Sequence, residues 1–236
     1  MMSGHSKWSS IKHQKAVTDA KRANVFTKLA NAIAVAARKG TDPAMNFSLR
    51  LAIDRAKSAN MPKENIERSI RRGSGTGEVA IEEIIYEAYG PAATAILIKV
   101  ATDNKNRTIA GIKSILNKFG GKLATSGAVS YLFEEKGQIF AKSDKVKEEA
   151  ELAIIDSGAQ DYEEANGGYF VYCAPRDLDK VKSALESRNF QIEDFQIIFQ
   201  PKNSIQLDEA STDKAVEILK ALDDLDDVSL VSSNFS

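Results

Sequence analysis

Residues 137–200 read GQIFAKSDKVKEEAELAIIDSGAQDYEEANGGYFVYCAPRDLDKVKSALESRNFQIEDFQIIFQ. Short apolar runs at the start, centre and end of this stretch enclose two longer charged segments with apolar residues at helical spacing. Such runs predict strands and such spacing predicts helices. With a turn at Asn166-Gly167-Gly168, the predicted order of elements is βαββαβ. That order is typical of the ferredoxin-like fold.

The segments on either side of this stretch complement each other. Residues 79–136 hold predicted strands in IIYEAYG, TAILIKVAT and AVSYLFEE, and a predicted helix in RTIAGIKSILNKFGG. Residues 205–236 supply one more helix, DKAVEILKALDDL, and one more strand, VSLVSS. These are the two elements that the first segment lacks. We therefore expect residues 79–136 plus 205–236 to form one ferredoxin-like α+β domain, with residues 137–204 inserted as a second.

The N-terminal part of the chain predicts helices instead. Apolar residues recur at three- and four-residue steps between Asp19 and Ala37, which predicts a first helix. Asp42-Pro43 is a plausible start for a second, and Pro62 opens a third that ends at Gly73. We expect residues 1–78 to form a basic three-helix domain with an N-terminal arm. The Gly-rich GSGTGE that follows the third helix is typical of a linker.

Composition excludes several classes of protein. The 236 residues contain no apolar run near the roughly 18 residues that a membrane span needs, and no signal peptide is evident, so we predict a cytoplasmic protein. One cysteine, Cys173, excludes an internal disulfide, and its apolar surroundings predict a packed thiol. Two His residues are too few for a zinc knuckle or a credible catalytic set. We expect no enzyme, no cofactor and no metal.

Charge is distributed unevenly along the chain. Residues 1–78 hold 15 Lys and Arg against 6 Asp and Glu, whereas residues 206–236 hold 2 against 8. A basic domain joined to acidic ones predicts that the basic part meets a polyanion, while the acidic domains are available to a protein partner or for self-association. The alternative is a basic face that is only solvated.

The segment before the first helix has the composition of a nucleic-acid contact. Cations neutralise phosphates, and an aromatic ring stacks on an exposed base. Few large apolar residues precede Asp19, which favours an arm that orders on binding; the alternative is a loose tail with its Trp packed on the helices. The candidate contact residues here and in the first helix are His5, Lys7, Trp8, Lys12, His13, Lys15, Lys21, Arg22 and Lys28.

Two more cationic surfaces extend or support this footprint. The cations of two helices are further candidates for nucleic-acid contact, although charged helical faces are usually only solvated. They are Lys63, Arg68, Arg71 and Arg72 on the third helix and Arg50, Arg55 and Lys57 on the second. The loop TDNKNRT leaves a strand and enters a helix, where backbone amides attract anions. Its residues serve equally well as helix caps. The loop residues that form this second motif are Asp103, Asn104, Lys105, Asn106 and Arg107.

Two other features favour ordinary structural interpretations. The strand GYFVYCA has aromatic residues like those of RNA-recognition modules, but it lacks their leading cation and Gly positions, so we expect it to pack in a core. The acidic run at residues 223–227, DDLDD, is expected to be solvated at a helix end.

Four motifs together carry a family resemblance. In this order and spacing, GHSKWSSIKHQKAVTDAKRANVFTKL, NMPKENIERSIRRG, YEAYGP and TDNKNRT resemble the YebC/PmpR family. That family includes the mitochondrial translational activator of cytochrome c oxidase. The resemblance implies a three-domain fold and a cytoplasmic, non-enzymatic protein. It assigns likely contacts to residues of the arm and first helix and to Asp103, Asn106 and Arg107.

The sequence departs from the family pattern at three places. Gln14 stands where many relatives have Lys, Ala23-Asn24 replaces a usual Gly-Lys, and Ala92-Ala93 follows Pro91 where two Gly residues are common. The resemblance implies a DNA-binding regulator of transcription. The alternative within the same family is a ribosome-associated translation factor that contacts ribosomal RNA. The arm lacks a recognisable helix-turn-helix, which favours readout of phosphates or shape.

Overall fold

A computed structural model describes residues 19–75 and 81–235, with side chains described from Ala23 onward. In the described part of the chain, seven helices and eight strands follow each other. In chain order they are α1 (Asp19–Ala37), α2 (Phe47–Ser58), α3 (Lys63–Gly73), β1 (Glu82–Tyr89), β2 (Ala95–Thr102), α4 (Lys105–Lys118), β3 (Lys122–Leu123), β4 (Phe133–Lys142), α5 (Lys147–Ile155), β5 (Asp161–Ala165), β6 (Gly168–Cys173), α6 (Leu178–Glu186), β7 (Gln191–Pro201), α7 (Glu209–Asp223) and β8 (Val228–Ser233).

The three N-terminal helices share one apolar core, and α1 has the predicted bounds. Its centre is formed by Leu29, Ile33, Leu49, Ile53 and Ile66. The predicted start of α2 at Asp42-Pro43 is wrong. Asn46 caps α2 instead: its side chain accepts a hydrogen bond from the Leu49 N–H and donates to the carbonyls of Ala36 and Gly40. One buried amide thus satisfies the end of α1 and the start of α2.

Gly73 has a packing role that the sequence pattern did not reveal. The pattern predicts it as the stop of α3, yet it is the last helical residue and Ser74 is the cap. A Cβ atom at Gly73 would lie 2.2 Å from the Ala34 carbonyl oxygen and 2.8 Å from Ala37 Cβ. The backbones of α1 and α3 therefore touch at this point, which only a residue without a side chain permits.

The two α+β domains have the predicted fold class. The first sheet has the order β3-β1-β2-β8, and its strands are antiparallel. Strand β8 returns from the C-terminus to pair with β2, for example Val231 with Ile98. The second sheet has the order β5-β6-β4-β7 and the predicted βαββαβ succession. The chain leaves the first sheet, completes the second sheet and then returns to the first. This path is the predicted insertion of one domain in the other.

One strand assignment from the sequence is wrong. The runs AVSYLFEE and GQIFAK were expected to be two strands, but β4 is a single ten-residue strand preceded by a short 3₁₀ turn at Ser130–Leu132. Gly137 lies inside β4. A Cβ atom at this position would come within 2.8 Å of Cys173 Sγ and 2.9 Å of Leu178 Cδ1, which explains why the strand has a glycine here. The predicted domain limit between residues 136 and 137 therefore falls within one strand, and the two-residue β3 was missed.

The open face of the inserted sheet is covered by the first α+β domain. Phe140, Phe170, Tyr172 and Ile198 form a buried cluster with Leu230 of β8. The aromatic strand GYFVYCA is β6, and all six residues of β6 are buried, so its predicted core packing is confirmed. Burial also raises the pKa of the Cys173 thiol to about 12. This sheet face is not available to stack on bases.

A buried carboxylate holds the loop before β4. Glu87 of β1 is only 6% exposed and accepts hydrogen bonds from the N–H groups of Gly127 and Val129, both at 2.6 Å, and of Ser130 at 2.9 Å. Desolvation of the carboxylate works to raise its pKa, but the three backbone hydrogen bonds outweigh it, so the pKa of Glu87 is lowered. Glu87 therefore fixes the connection between the two sheets.

Candidate nucleic-acid interface

The predicted contact residues fall into three groups by position. Six of the predicted residues and half of the predicted linker lie outside the described residues; the six are His5, Lys7, Trp8, Lys12, His13 and Lys15. Lys21 and Arg22 lie in the first turn of α1, ahead of the first described side chain. Lys28, Arg71, Arg72 and the second motif have described side chains, and their surroundings differ from one another.

Lys28 lies in a contact between α1 and the end of α7. Its ammonium donates to the carbonyl oxygen of Asp223 and is 3.4 Å from the Asp223 carboxylate, and the two side chains are 14% and 16% exposed. Asn24, one turn earlier, donates to the Asp224 carbonyl at 3.2 Å and to the Asp226 carboxylate at 2.8 Å. The acidic run at residues 223–227 therefore takes part in an interdomain contact. Asp224 and Asp226 are exposed as expected, whereas the expectation of a solvated side chain is wrong for Asp223 and Asp227.

The second motif is held by the same acidic run. Arg107 donates to Asp103 at 2.8 Å and to Asp227 at 3.0 Å. The hydrogen bond to Asp227, followed by that to Asp103, raises the pKa of Arg107. Asp227 is 17% exposed and also accepts from the hydroxyls of Thr108 at 2.6 Å and Thr102 at 3.2 Å. The positive charge of the Arg107 guanidinium is thus already balanced by carboxylates of the protein itself.

The remaining motif residues are mainly structural. Asn104 is the N-cap of α4, and its side chain accepts from the Arg107 N–H at 3.0 Å. Lys105 forms a 2.7 Å ion pair with Glu82, and Asn106 is exposed. Of the two interpretations of this loop, capping is therefore the one that the geometry supports directly.

The third helix differs, because its arginines face a cleft. Arg72 donates to the side-chain oxygen of Asn31 on α1, and Arg68 donates to the side-chain oxygen of Asn65 at 3.0 Å. No carboxylate of the described residues forms an ion pair with either guanidinium. Arg71 is exposed on the same helix. Burial lowers the pKa of Arg72; nearby Asp103 opposes this effect, and Arg68 adds to it.

The cleft lies between α1 and α3 and has a volume of about 350 Å³. The two helices meet backbone to backbone at Ala34 and Gly73 and are held apart by larger side chains farther along. Its lining residues are Phe26, Thr27, Ala30 and Asn31 from α1, Met61 from the turn before α3, and Asn65, Arg68, Ser69 and Arg72 from α3.

Asn31 connects this cleft to the second motif. It is buried, accepts from Arg72, and approaches the carbonyl of Ala101 at the end of β2 with its amide nitrogen, at 3.4 Å. The helical cleft and the loop after β2 therefore share one edge. The sequence marked Arg68 as a candidate contact on the third helix, but Asn31 and Asn65 were not expected at this site. The one available signal was a polar Asn in an otherwise apolar stretch of α1.

The second helix uses its cations to join domains. Arg50 forms a 3.3 Å ion pair with Asp179 of α6, and Arg55 forms one of the same length with Asp194 of β7. Lys57 pairs with Asp54 on its own helix at 3.6 Å. Leu51 of α2 is part of the apolar core of the inserted domain. This face of the helical domain is therefore an internal contact.

The described residues contain neither a metal-binding cluster nor a membrane-spanning helix. Between residues 19–75 and 81–235, no group of three or more His, Cys, Asp or Glu side chains is arranged to hold a metal ion. Within the same ranges, no helix combines the length and apolar character that a bilayer crossing requires.

Comparison with known proteins identifies the family. A "probable transcriptional regulatory protein" of Thermotoga maritima is 47% identical over 238 aligned positions, covering 99% of this chain and 94% of that protein. One of Dictyoglomus thermophilum is 43% identical, with coverage of 99% and 96%. The crystal structure of a conserved hypothetical protein from Aquifex aeolicus matches with a TM-score of 0.90 at 42% identity, covering 98% of this chain and 97% of that one.

Both parts of the chain match family descriptions. Residues 6–76 match the TACO1/YebC protein N-terminal domain, and residues 81–235 match the TACO1/YebC second and third domain. The two matches meet at the predicted linker. The chain therefore belongs to the TACO1/YebC family, as its motifs indicated.

Proposed function

We propose that this protein is a non-enzymatic, cytoplasmic regulator of transcription that binds DNA through its helical domain. The binding face comprises the arm before α1 and the side of α3 that carries Arg68, Arg71 and Arg72. The acidic domains are left for a protein partner or for self-association. The names of the relatives support a regulatory role in transcription.

One observation carries the choice of surface. Arg68 and Arg72 stand at a cleft with amide oxygens as partners, whereas Arg50 and Arg55 are ion-paired to carboxylates. A guanidinium with a neutral partner keeps its full positive charge for a phosphate, and binding to phosphate releases counterions from the nucleic acid. The cation-rich arm enters α1 from the same domain.

The test compares two double variants on the same DNA. Arg68→Gln with Arg72→Gln should weaken binding about tenfold and lower the slope of log affinity against log salt by about 1 to 2. Arg50→Gln with Arg55→Gln removes the same charge and should change affinity less than about threefold. Fluorescence anisotropy at two salt concentrations measures both. Equal losses in the two variants would show that only net charge matters.

The arm is tested separately. Changing Lys7, Lys12 and Lys21 together to Ala should weaken binding to every nucleic acid and flatten the salt dependence. An unchanged slope would remove the arm from the contact surface.

The choice between DNA and the ribosome needs a parallel experiment. The protein is titrated with promoter fragments and with scrambled duplexes, and it is co-sedimented with ribosomes. Promoter preference that persists as salt rises supports the transcriptional role. Ribosome association without preference between the two DNAs replaces that role with a translation factor that contacts ribosomal RNA.

A further inference from the structure

The cleft between α1 and α3 has the shape of a pocket for one small group. The backbones of α1 and α3 touch at Ala34 and Gly73, and farther along the two helices the cleft is lined by Phe26 and Met61, among others. Its volume of about 350 Å³ is at the lower end of the range of about 300–1,000 Å³ for ligand pockets. The space therefore suits a single compact ligand.

The lining combines the three kinds of surface that a nucleotide uses. The half-buried ring of Phe26 and the side chain of Met61 offer apolar contact to a planar base. Half-buried Asn65 places an amide group at the cleft, where its amide nitrogen can donate to the edge of a base, whereas the amide of buried Asn31 is bonded to Arg72 and directed at the Ala101 carbonyl. Small residues between these walls, such as Ala30, leave room for the base.

Positive charge is concentrated on one side of the same cleft. Arg68 and Arg72 lie one helical turn apart on α3, and both line the cleft. The positive charge of Arg68 contributes to lowering the pKa of Arg72, as expected for like charges at this spacing. A bound anion between them removes that repulsion, and a phosphate accepts hydrogen bonds from guanidinium groups in a fork geometry.

We propose that this cleft takes one unpaired nucleotide of a bound strand, with the base against Phe26 and Met61 and the phosphate at Arg68 and Arg72. The proposal rests on the proposed function, since the same two arginines belong to the nucleic-acid face. A base inside a duplex has both faces covered by its neighbours, so only an unstacked base enters such a cleft. The protein should therefore prefer single-stranded or locally opened nucleic acid.

The test uses an oligonucleotide that reports stacking. A single-stranded dT oligonucleotide with one 2-aminopurine, and its rU counterpart, is titrated with the full-length protein; the fully paired duplex is titrated in parallel. Stacking on an aromatic ring quenches 2-aminopurine fluorescence. We expect quenching with the single strands and little with the duplex, and at least fivefold tighter binding of the single strands. The DNA and RNA arms report which sugar is preferred.

Variants identify the group that quenches. Phe26→Leu should abolish most of the quenching and weaken single-strand binding about fivefold or more, whereas Phe119→Leu, a half-buried aromatic on the first α+β domain, should change neither. Trp8→Leu tests the aromatic residue of the arm. Quenching that survives Phe26→Leu and disappears in Trp8→Leu would overturn the proposal, because the arm would then hold the base.

A second variant keeps the test decisive if Phe26→Leu does not fold, which a thermal melt detects. Ala30→Leu fills the cleft without removing an existing contact, and Ala23→Leu adds the same bulk at an exposed position of α1. Only Ala30→Leu should reduce single-strand binding. If Arg68→Gln with Arg72→Gln weakens binding while Ala30→Leu does not, the cleft is wrong and the nucleic-acid face stands. If the duplex binds the wild-type protein and neither single strand does, the cleft proposal fails and the nucleic-acid face stands; if neither the single strands nor the duplex bind, both proposals fail.

Discussion

The second and third helices look alike in sequence but use their arginines in different ways. On α2, Arg50 and Arg55 reach Asp179 and Asp194 of the inserted domain. On α3, Arg68 and Arg72 donate to the amide oxygens of Asn65 and Asn31 and form no ion pair with a carboxylate in the part of the chain that the structure describes. Helix α2 therefore joins the helical domain to the inserted domain, whereas α3 presents its positive charge at a cleft.

This difference shows that the partner of a cation matters more than its position in a basic segment. Lys28 and Arg107 follow the pattern of α2, since Asp223 and Asp227 hold them. Both belong to motifs that the sequence marks as contact residues. A carboxylate partner lowers the net charge that a polyanion meets, whereas an amide partner leaves it unchanged.

The largest effect is expected where α3 is seated on α1. Gly73→Ala should reduce the free energy of unfolding by about 3 kcal/mol, because the new methyl group would meet the Ala34 carbonyl, and it should also weaken nucleic-acid binding by displacing α3. Gly111→Ala on α4 is the matched control: the nearest atoms to its Cβ are 3.8 Å away, so it should stabilise the protein by about 0.5 to 1 kcal/mol. Urea denaturation measures both, and an equal response of the two variants would contradict the close packing at Gly73.

The next effect concerns the carboxylate that holds Arg107. Asp227→Ala removes the acceptor of Arg107, Thr102 and Thr108 and should cost about 2 kcal/mol of stability. Asp226→Ala removes the same charge one residue away, at an exposed side chain that accepts only from Asn24, and should cost less than about 0.5 kcal/mol. A thermal melt compares them. Similar melting temperatures would mean that the second motif is not held by Asp227.

A smaller change tests the comparison between α2 and α3 directly. Asp179→Asn with Asp194→Asn removes the partners of Arg50 and Arg55, so DNA affinity at low salt should rise about twofold to threefold. Asp144→Asn with Asp161→Asn neutralises two exposed carboxylates of the same domain and should raise affinity less. Equal increases would indicate that the released arginines do not reach the nucleic acid.

The smallest expected effect separates stability from binding. Ala92 and Ala93 are exposed and adopt left-handed backbone with φ of 52° and 59°, a conformation that costs Ala more than Gly. Replacing both with Gly relieves this strain but also raises the conformational entropy of the unfolded chain, which opposes the gain. The net effect should be a stabilisation of about 0.5 to 1 kcal/mol. Nucleic-acid affinity should not change, since neither α2 nor α3 contains this turn. Urea denaturation measures the stability, and a free energy of unfolding below that of the wild-type protein would show that the backbone at Ala92 and Ala93 is not strained.

Local pattern was enough for most elements but not for their junctions. The bounds of α1, the βαββαβ order and the return of β8 follow from periodicity and turn residues. Local pattern did not predict the cap of α2 at Asn46 or the single strand β4. Both depend on contacts with residues distant in the chain or on another element. Gly73 and Gly137 look like breaks in a pattern, although each marks a close packing contact.

The sequence by itself determined the fold class, the insertion of one domain in another, and the basic character of the N-terminal domain, because hydrophobic period and charge are local properties. Only the tertiary structure decided which cations are available. Asp179, Asp194, Asp223 and Asp227 come from remote parts of the chain and neutralise cations that looked free in the sequence. Coulomb interaction depends on distance in space, and folding sets that distance.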